Sequence, residues 1–358
     1  MPPDIRLTHQ APLLVSLLVL PDAGVGSLTG MLDTLASFPL LGTFDDAVPS
    51  APPFALELVG PGTGSVTTAS GVPLQVHRSV ADPGHTDIAI VPSLMVRDAV
   101  WVGGRYPELV SWLERVHRDG GLLCSACSGV LLIAETGLLS GRSATIHPAY
   151  ERTFRENYPD VTLRLDQVLV ATGDREEIVM SGASASWHDL VLYLVARHVG
   201  PTAAQALAKF LLLQWHTDGQ GPYVPFRAPR DHGDAIVADA QEWLRAHYAV
   251  AAPVAQIVER SGLPERTFKR RFARATGYSP IAYVQHVRVE EAKRRLERTA
   301  EPVDAISYAV GYEDPASFRR LFKRITGVPP GTYRRKLQLP PFARTEPRPS
   351  SPLEPGRS

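Results

Sequence analysis

The chain has 358 residues, 44% hydrophobic and 21% charged, with 37 basic and 37 acidic side chains. That length leaves room for two or three domains with ample core, and the composition is ordinary for a soluble globular protein. No stretch approaches the roughly 18–20 apolar residues that span a bilayer, so no membrane is expected.

The first elements alternate between strand and helix. LLVSLLVL (13–20) is a continuous apolar run, as expected for a strand buried on both faces. It follows Met1 by a dozen residues with one Arg and no cleavage-like site, so no signal peptide is expected. FALELVG (54–60) and TDIAIVP (86–92) read as similar strands. In 107–121, Leu109, Trp112, Leu113 and Val116 share one helical face, and Gly120 and Gly121 end the helix. LLCSA (122–126) is a short strand, followed by a helix over 128–139. Two apolar helices, 187–200 and 202–215, close the domain, with Trp187 and Trp215 expected in its core. The alternation predicts an α/β domain, a parallel sheet with helices on both faces.

Residues 216–232 are rich in Gly and Pro and read as a linker. A helix over 235–248 opens a second domain, reaching about residue 336. The Pro-rich tail 337–358 is expected to be disordered. Cys124 and Cys127, three residues apart, could not brace a domain of this size, so the expected compartment is a reducing cytoplasm.

Ser125–Gly129 (SACSG) lies between a strand and a helix. A nucleophile on such a sharp turn is exposed above the sheet, with backbone N–H groups beside it. A helix N-terminus lowers a thiol's pKa, and His147 in SGRSATIH (140–147) is a candidate base for Cys127. The Cys124-x-x-Cys127 spacing allows a redox pair, but a strand residue should point away from the elbow. Residues 12–215 resemble the PfpI-like branch of the class I glutamine amidotransferase-like superfamily, with a flavodoxin-like fold. The elbow, AETGLLSGRSATIHP (134–148) and GASASWHDLVLYLVARHVG (182–200) carry that resemblance. Three positions depart from the pattern of the enzymes. The loop PDAGVGSL (21–28) offers only Asp22, too early, where an acid should partner the Cys. Ser93-Leu94 stands for the usual Gly-Gly, and Pro148 follows His147. Cys127 and His147 are thus vestigial catalytic candidates, and Cys127, Ser128, His147 and Ser93 are the expected effector pocket.

The second domain contains a repeat. Pro253, Val254 and Ile257 recur 49 residues on as Pro302, Val303 and Ile306. Phe268, Arg270, Phe272, Gly277, Pro280 and Tyr283 recur 50 residues on as Phe318, Arg320, Phe322, Gly327, Pro330 and Tyr333. Each copy reads as an apolar helix, a Gly turn and a basic helix: a helix-turn-helix, twice. Residues 251–336 hold 18 of the 37 basic and 9 of the 37 acidic side chains. This module is therefore basic and the rest of the chain acidic, which points to a polyanion as the module's partner.

Phe268 with Phe272, and Phe318 with Phe322, are four apart and must face the core. Arg266, Thr267, Lys269 and Arg270, with Ala316, Ser317, Arg319 and Arg320, then face outward as candidate DNA contacts. Arg274 and Lys323, with Arg271 and Arg324, lie nearer the helix C-termini and are expected at phosphates. Residues 235–335 resemble the DNA-binding domain of the AraC/XylS family of transcription regulators. SGLPERTFKRRF (261–272), RVEEAKRRLE (288–297) and AVGYEDPASFRRLFKRITGVPPGTYR (309–334) carry it. Joined to a PfpI-like domain, this resembles the GlxA-type regulators, whose N-terminal domain senses a small molecule.

The reading is thus an α/β sensor domain (12–215), a linker (216–232), an all-α double helix-turn-helix domain (233–336) and a tail (337–358). The expected function is sequence-specific regulation of transcription. The expected partners are double-stranded promoter DNA, an unidentified small-molecule effector and a second copy of the chain. The alternative is a Cys127-dependent hydrolase or amidase with an appended DNA-binding domain. His188, His198 and His216 are scattered along the sequence, so no metal is expected, and no cofactor.

Overall fold

A computed structural model describes residues 11–46, 48–340 and 343. The rest of the expected tail, 341–342 and 344–358, lies outside the described residues. The chain divides between Gln220 and Gly221 into two compact units.

The first unit is built on β1 (Leu13–Leu18), β2 (Phe54–Gly60), β3 (Arg78–Ser79), β4 (Ile88–Val91), β5 (Leu122–Ala126), β6 (Leu169–Thr172) and β7 (Ile178–Ser181). They form one seven-stranded sheet in the order β6-β7-β5-β4-β1-β2-β3. All neighbours are parallel except β6, which runs antiparallel to β7 at the edge. Every residue of β4, β5 and β7 is buried, as their unbroken apolar or small side chains require. Helices α1 (Val25–Ala36), α2 (Pro107–Arg118), α3 (Val130–Glu135), α4 (Trp187–His198) and α5 (Pro201–Phe210) cover it. Here α1 packs with α4 and α4 with α5, while α2 packs with α3. The face of α2 that meets the core is the predicted one: Leu109, Trp112, Leu113 and Val116.

Two helices are shorter than the sequence suggests. The 128–139 helix begins as a tight turn at Cys127–Gly129, and its α-helical part ends at Glu135. The 202–215 helix stops at Phe210. Leu213 N bonds back to Ala208 O (2.8 Å) and Leu212 N to Lys209 O (3.3 Å), with Leu212 at φ +55°. These are the bonds of a Schellman turn, with Leu in the left-handed position that Gly normally takes. Trp215, expected in the core, is therefore 41% exposed.

The second unit is helical: α6 (Ala235–Ala246), α7 (Pro253–Ser261), α8 (Glu265–Thr276), α9 (Pro280–Arg298), α10 (Val303–Ala309), α11 (Pro315–Thr326) and α12 (Pro330–Leu337). It has two apolar clusters. One gathers Ile257, Phe268, Phe272, Tyr283, Val284 and Val287. The other gathers Leu296, Ile306, Phe318, Phe322 and Tyr333 among its members. Each buries the Phe pair that the repeat predicts, and α9 contributes to both.

Phe322→Ala removes a fully buried ring that meets Tyr333 edge-on at 5.4 Å. We expect a loss of about 3–5 kcal/mol. Calorimetry should show the second unit's transition moving to lower temperature while the first unit's stays in place.

Candidate nucleic-acid interface and elbow site

In each repeat the turn is made by a glycine with positive φ, Gly262 at +66° and Gly311 at +89°. The following helices, α8 and α11, bury their Phe pairs and turn the opposite face to solvent. Arg266, Lys269, Arg270 and Arg274 are exposed on α8, with Thr267 half-buried. Ala316, Arg319, Arg320 and Lys323 are exposed on α11, with Ser317 half-buried.

The cations differ in their partners. Lys269 pairs with Glu265 one turn back, and Arg319 pairs with Asp304 on α10. Arg320 donates to Ser317 Oγ at 2.8 Å and lies 3.9 Å from Asp314. Asp314 caps α11, accepting from the backbone N–H of Ala316 and Ser317 at 2.9 and 3.0 Å. Among the described residues, Arg266, Arg270, Arg274 and Lys323 have no carboxylate within ion-pair distance. Arg271, one of the phosphate candidates, instead pairs with Asp234, the N-cap of α6. Its hydrogen bond holds the Asp234 carboxyl below the ordinary range. Arg271 thus ties α8 to α6 within the fold.

In the first unit, β5 delivers Cys127 at φ +54°, a strained left-handed turn. Gly129 is required beside it: a Cβ there would stand 2.5 Å from Pro92 O and 2.6 Å from Val91 O. Ser128, fully buried, donates to Leu94 O and accepts from Leu94 N at 2.8 Å. It thereby latches the turn to the loop after β4. Burial pushes the Cys127 thiol above its ordinary pKa, although Ser184 Oγ donates to Sγ at 3.3 Å. Ser93 Oγ is buried and has no hydrogen-bond partner of ordinary geometry. His147 Nδ1 accepts from Ala149 N at 3.1 Å, and its ring meets Tyr150 edge-on at 6.1 Å.

The nearby acid is engaged elsewhere. Asp22 accepts from Tyr106 Oη at 2.9 Å and pairs with Arg105 at 2.6 Å. Ser27 Oγ instead accepts from Ser93 N at 3.1 Å and donates to Gly24 O at 3.0 Å. Cys124 is fully buried in β5, and burial drives its thiol far upward.

The histidines are less scattered than their sequence positions suggest. His188 and His216 lie with ring centroids 4.9 Å apart, and Asp189 stands beside both. The Schellman turn after α5 redirects the chain and makes this meeting possible, and no sequence spacing signals it.

Residues 257–336 match a helix-turn-helix domain family, and residues 50–181 match the DJ-1/PfpI family. The chain thus joins an AraC-type helix-turn-helix domain to a DJ-1/PfpI domain, and in that pairing it is similar to the GlxA-type transcriptional regulators. It is 28% identical to the HTH-type transcriptional regulator CdhR of Pseudomonas aeruginosa, over 67% of this chain and 71% of that one. It is 25% identical to the HTH-type transcriptional regulator GlxA of Rhizobium meliloti, over 63% and 68%. It is 26% identical to the HTH-type transcriptional regulator Rv1931c of Mycobacterium tuberculosis, over 64% and 88%. Its relatives are transcriptional regulators, and its helix-turn-helix match lies within the second unit.

The two buried thiols set a pH dependence. Their folded pKa values are raised, so the fold favours the neutral thiol over the thiolate. That stability is present below the free thiol pKa of about 8.5 and is lost as pH rises beyond it, where the unfolded chain ionises first. We expect the urea midpoint of the first unit to fall between about pH 8 and pH 9.5. The Cys124→Ala/Cys127→Ala variant should show a smaller fall.

Proposed function

We propose that the regulator reads promoter DNA with α8 and α11 in successive segments of the major groove. Arg266, Thr267, Lys269 and Arg270 of α8, with Ala316, Ser317, Arg319 and Arg320 of α11, meet base edges, while Arg274 and Lys323 meet phosphates. The observation that carries this reading is the exposed cationic face opposite each buried Phe pair, with Arg266, Arg270, Arg274 and Lys323 outside any ion pair among the described residues. Bidentate Arg–guanine contacts discriminate by about 1–3 kcal/mol each. Residues 216–232 are the linker of this reading, the compartment is the cytoplasm, and a second copy of the chain completes the working form. The exposed pair Phe44 and Phe210, with ring centroids 5.6 Å apart, offers an apolar face of the kind that association covers.

The first unit, on this proposal, binds a small-molecule effector at the elbow, around Cys127, Ser93 and His147, without turning it over. A neutral thiol is a poor nucleophile, and Asp22, the one acid of the loop after β1, comes too early to serve the Cys and is held by Arg105 and Tyr106. Ser128 serves here as the latch that shapes the site. An effector acts by binding one state of the regulator better than another.

Selection of bound sequences from a random DNA pool tests the reading. We expect a site with two half-elements about 10 base pairs apart. Arg266→Ala with Arg270→Ala should abolish preference in one half-element and leave the other. Arg274→Ala should instead weaken all sequences alike and reduce the salt slope by about 1. An unchanged site in the Arg266→Ala/Arg270→Ala variant would overturn the assignment of base contacts.

A further inference from the structure

We propose that His188, Asp189 and His216 form a binding site for a divalent transition metal, with zinc the best fit. One atom from each, His188 Nε2, Asp189 Oδ2 and His216 Nδ1, gathers within 4.8 Å of the others. His216 Nδ1 lies 2.7 Å from Asp189 Oδ2, and His188 Nε2 lies 3.6 Å from the same oxygen. Ligand atoms on a tetrahedral zinc stand about 3.3 Å apart, given bonds of about 2.0–2.2 Å. The two distances to Asp189 bracket that value, so small side-chain rotations admit the ion.

The donor set suits the metal. Two imidazoles and one carboxylate favour zinc over magnesium or calcium, and three protein ligands leave one position open for water or an effector's oxygen. The carboxylate is already oriented from behind: its other oxygen, Oδ1, accepts from His216 N at 2.9 Å. Outer bonds of this kind fix a ligand's direction and strengthen the site. Asp189 is almost wholly buried and both rings are half-buried, which sets the cluster apart from surface histidines.

A second observation lies in the backbone. Leu212 holds φ +55° and is 88% exposed, so its strained conformation secures no packing of its own side chain. Its turn carries the chain back across the start of α4 and presents His216 to Asp189. Strain of this kind persists where the surrounding structure demands it, often at binding sites. On binding, the hydrogen bond between His216 and Asp189 gives way to two bonds to the metal. The His216 proton moves to Nε2, leaving the Nδ1 lone pair for the ion. The His188 proton likewise moves, from Nε2 to Nδ1, and Nε2 turns from Gln214 O, its 3.1 Å neighbour, to the ion. The metal would thus staple α4 to the segment 214–216, just before the first unit ends at Gln220.

The test uses the full chain, stripped with a chelator and titrated with Zn²⁺ by calorimetry, with bound metal counted by elemental analysis. We expect one equivalent per chain, and affinity at least tenfold weaker in His188→Ala and in His216→Ala. Asp189→Asn retains an oxygen that can accept from the His216 amide but removes the carboxylate. It should fold, by circular dichroism, and still lose the site. Co²⁺ in place of zinc should show the visible absorption of a low-symmetry site in the parent alone. No stoichiometric binding by the parent, or undiminished binding in Asp189→Asn and His216→Ala, would overturn the proposal.

Discussion

The second unit depends on one helix that belongs to two cores. α9 is 19 residues long, about 28 Å at the helical rise. Tyr283, Val284 and Val287 pack near its start in the first cluster, and Val289, Ala292 and Leu296 pack further on in the second. A helix buried at both ends cannot bend without opening one cluster, so it fixes the separation of α8 and α11. Polar contacts brace it further. Arg288 donates to Tyr248 O and Val250 O at 2.7 and 3.2 Å, and its guanidinium lies 4.9 Å from the Tyr312 ring centre. One side chain therefore joins the end of the first repeat's support to the turn of the second. Lys293, also buried, donates to Glu290 and to Val224 O at 2.8 Å, binding the entering chain to the same helix.

The first unit concentrates strain in the same way at its elbow. Cys127 is held in the left-handed region, Gly129 is pressed against the carbonyls of Val91 and Pro92, and Ser128 bonds the turn to Leu94. A nucleophile elbow uses that geometry to expose its reactive atom. Here the same turn buries the thiol, and the raised pKa follows from the burial. The backbone of an enzyme-like site thus survives with electrostatics suited to a neutral sulfur.

Much of this was legible in the sequence, and the misses share a cause. β2 and β5 run over the residues their apolar runs predict, and α2 buries the predicted face. The repeats appear as read because apolar periodicity and Gly turns are local signals. The early end of α5 was not legible, because the signal for a left-handed cap is Gly and the position holds Leu212. The cluster at Asp189 is illegible for the same reason: an unbroken helix over 202–215 would carry the chain straight on to His216, with no turn back towards Asp189. Arg271 misled for a related reason. On α8 it is one more cation, and only the fold brings Asp234 to it. Long-range pairing leaves no trace in spacing.

Magnitudes decide how the paired cations should be regarded. Arg319 and Asp304 are each about half exposed, and such surface pairs are worth roughly 0–1 kcal/mol. A base contact discriminates by about 1–3 kcal/mol. An Arg already paired at the surface therefore gives up little in turning to DNA, and its pairing is no ground for removing it from the interface. Arg271 differs, because its partner Asp234 is mostly buried and also caps α6 at Val237 N. Drawing it away would strand a carboxylate at the end of a core helix, a cost that a phosphate contact in water would not offset. On the proposed reading, the division between reading and supporting cations thus follows the burial of their carboxylates: among the described residues Arg266, Arg270 and Arg274 of α8 are outside any ion pair, whereas Arg271 is tied to its own scaffold.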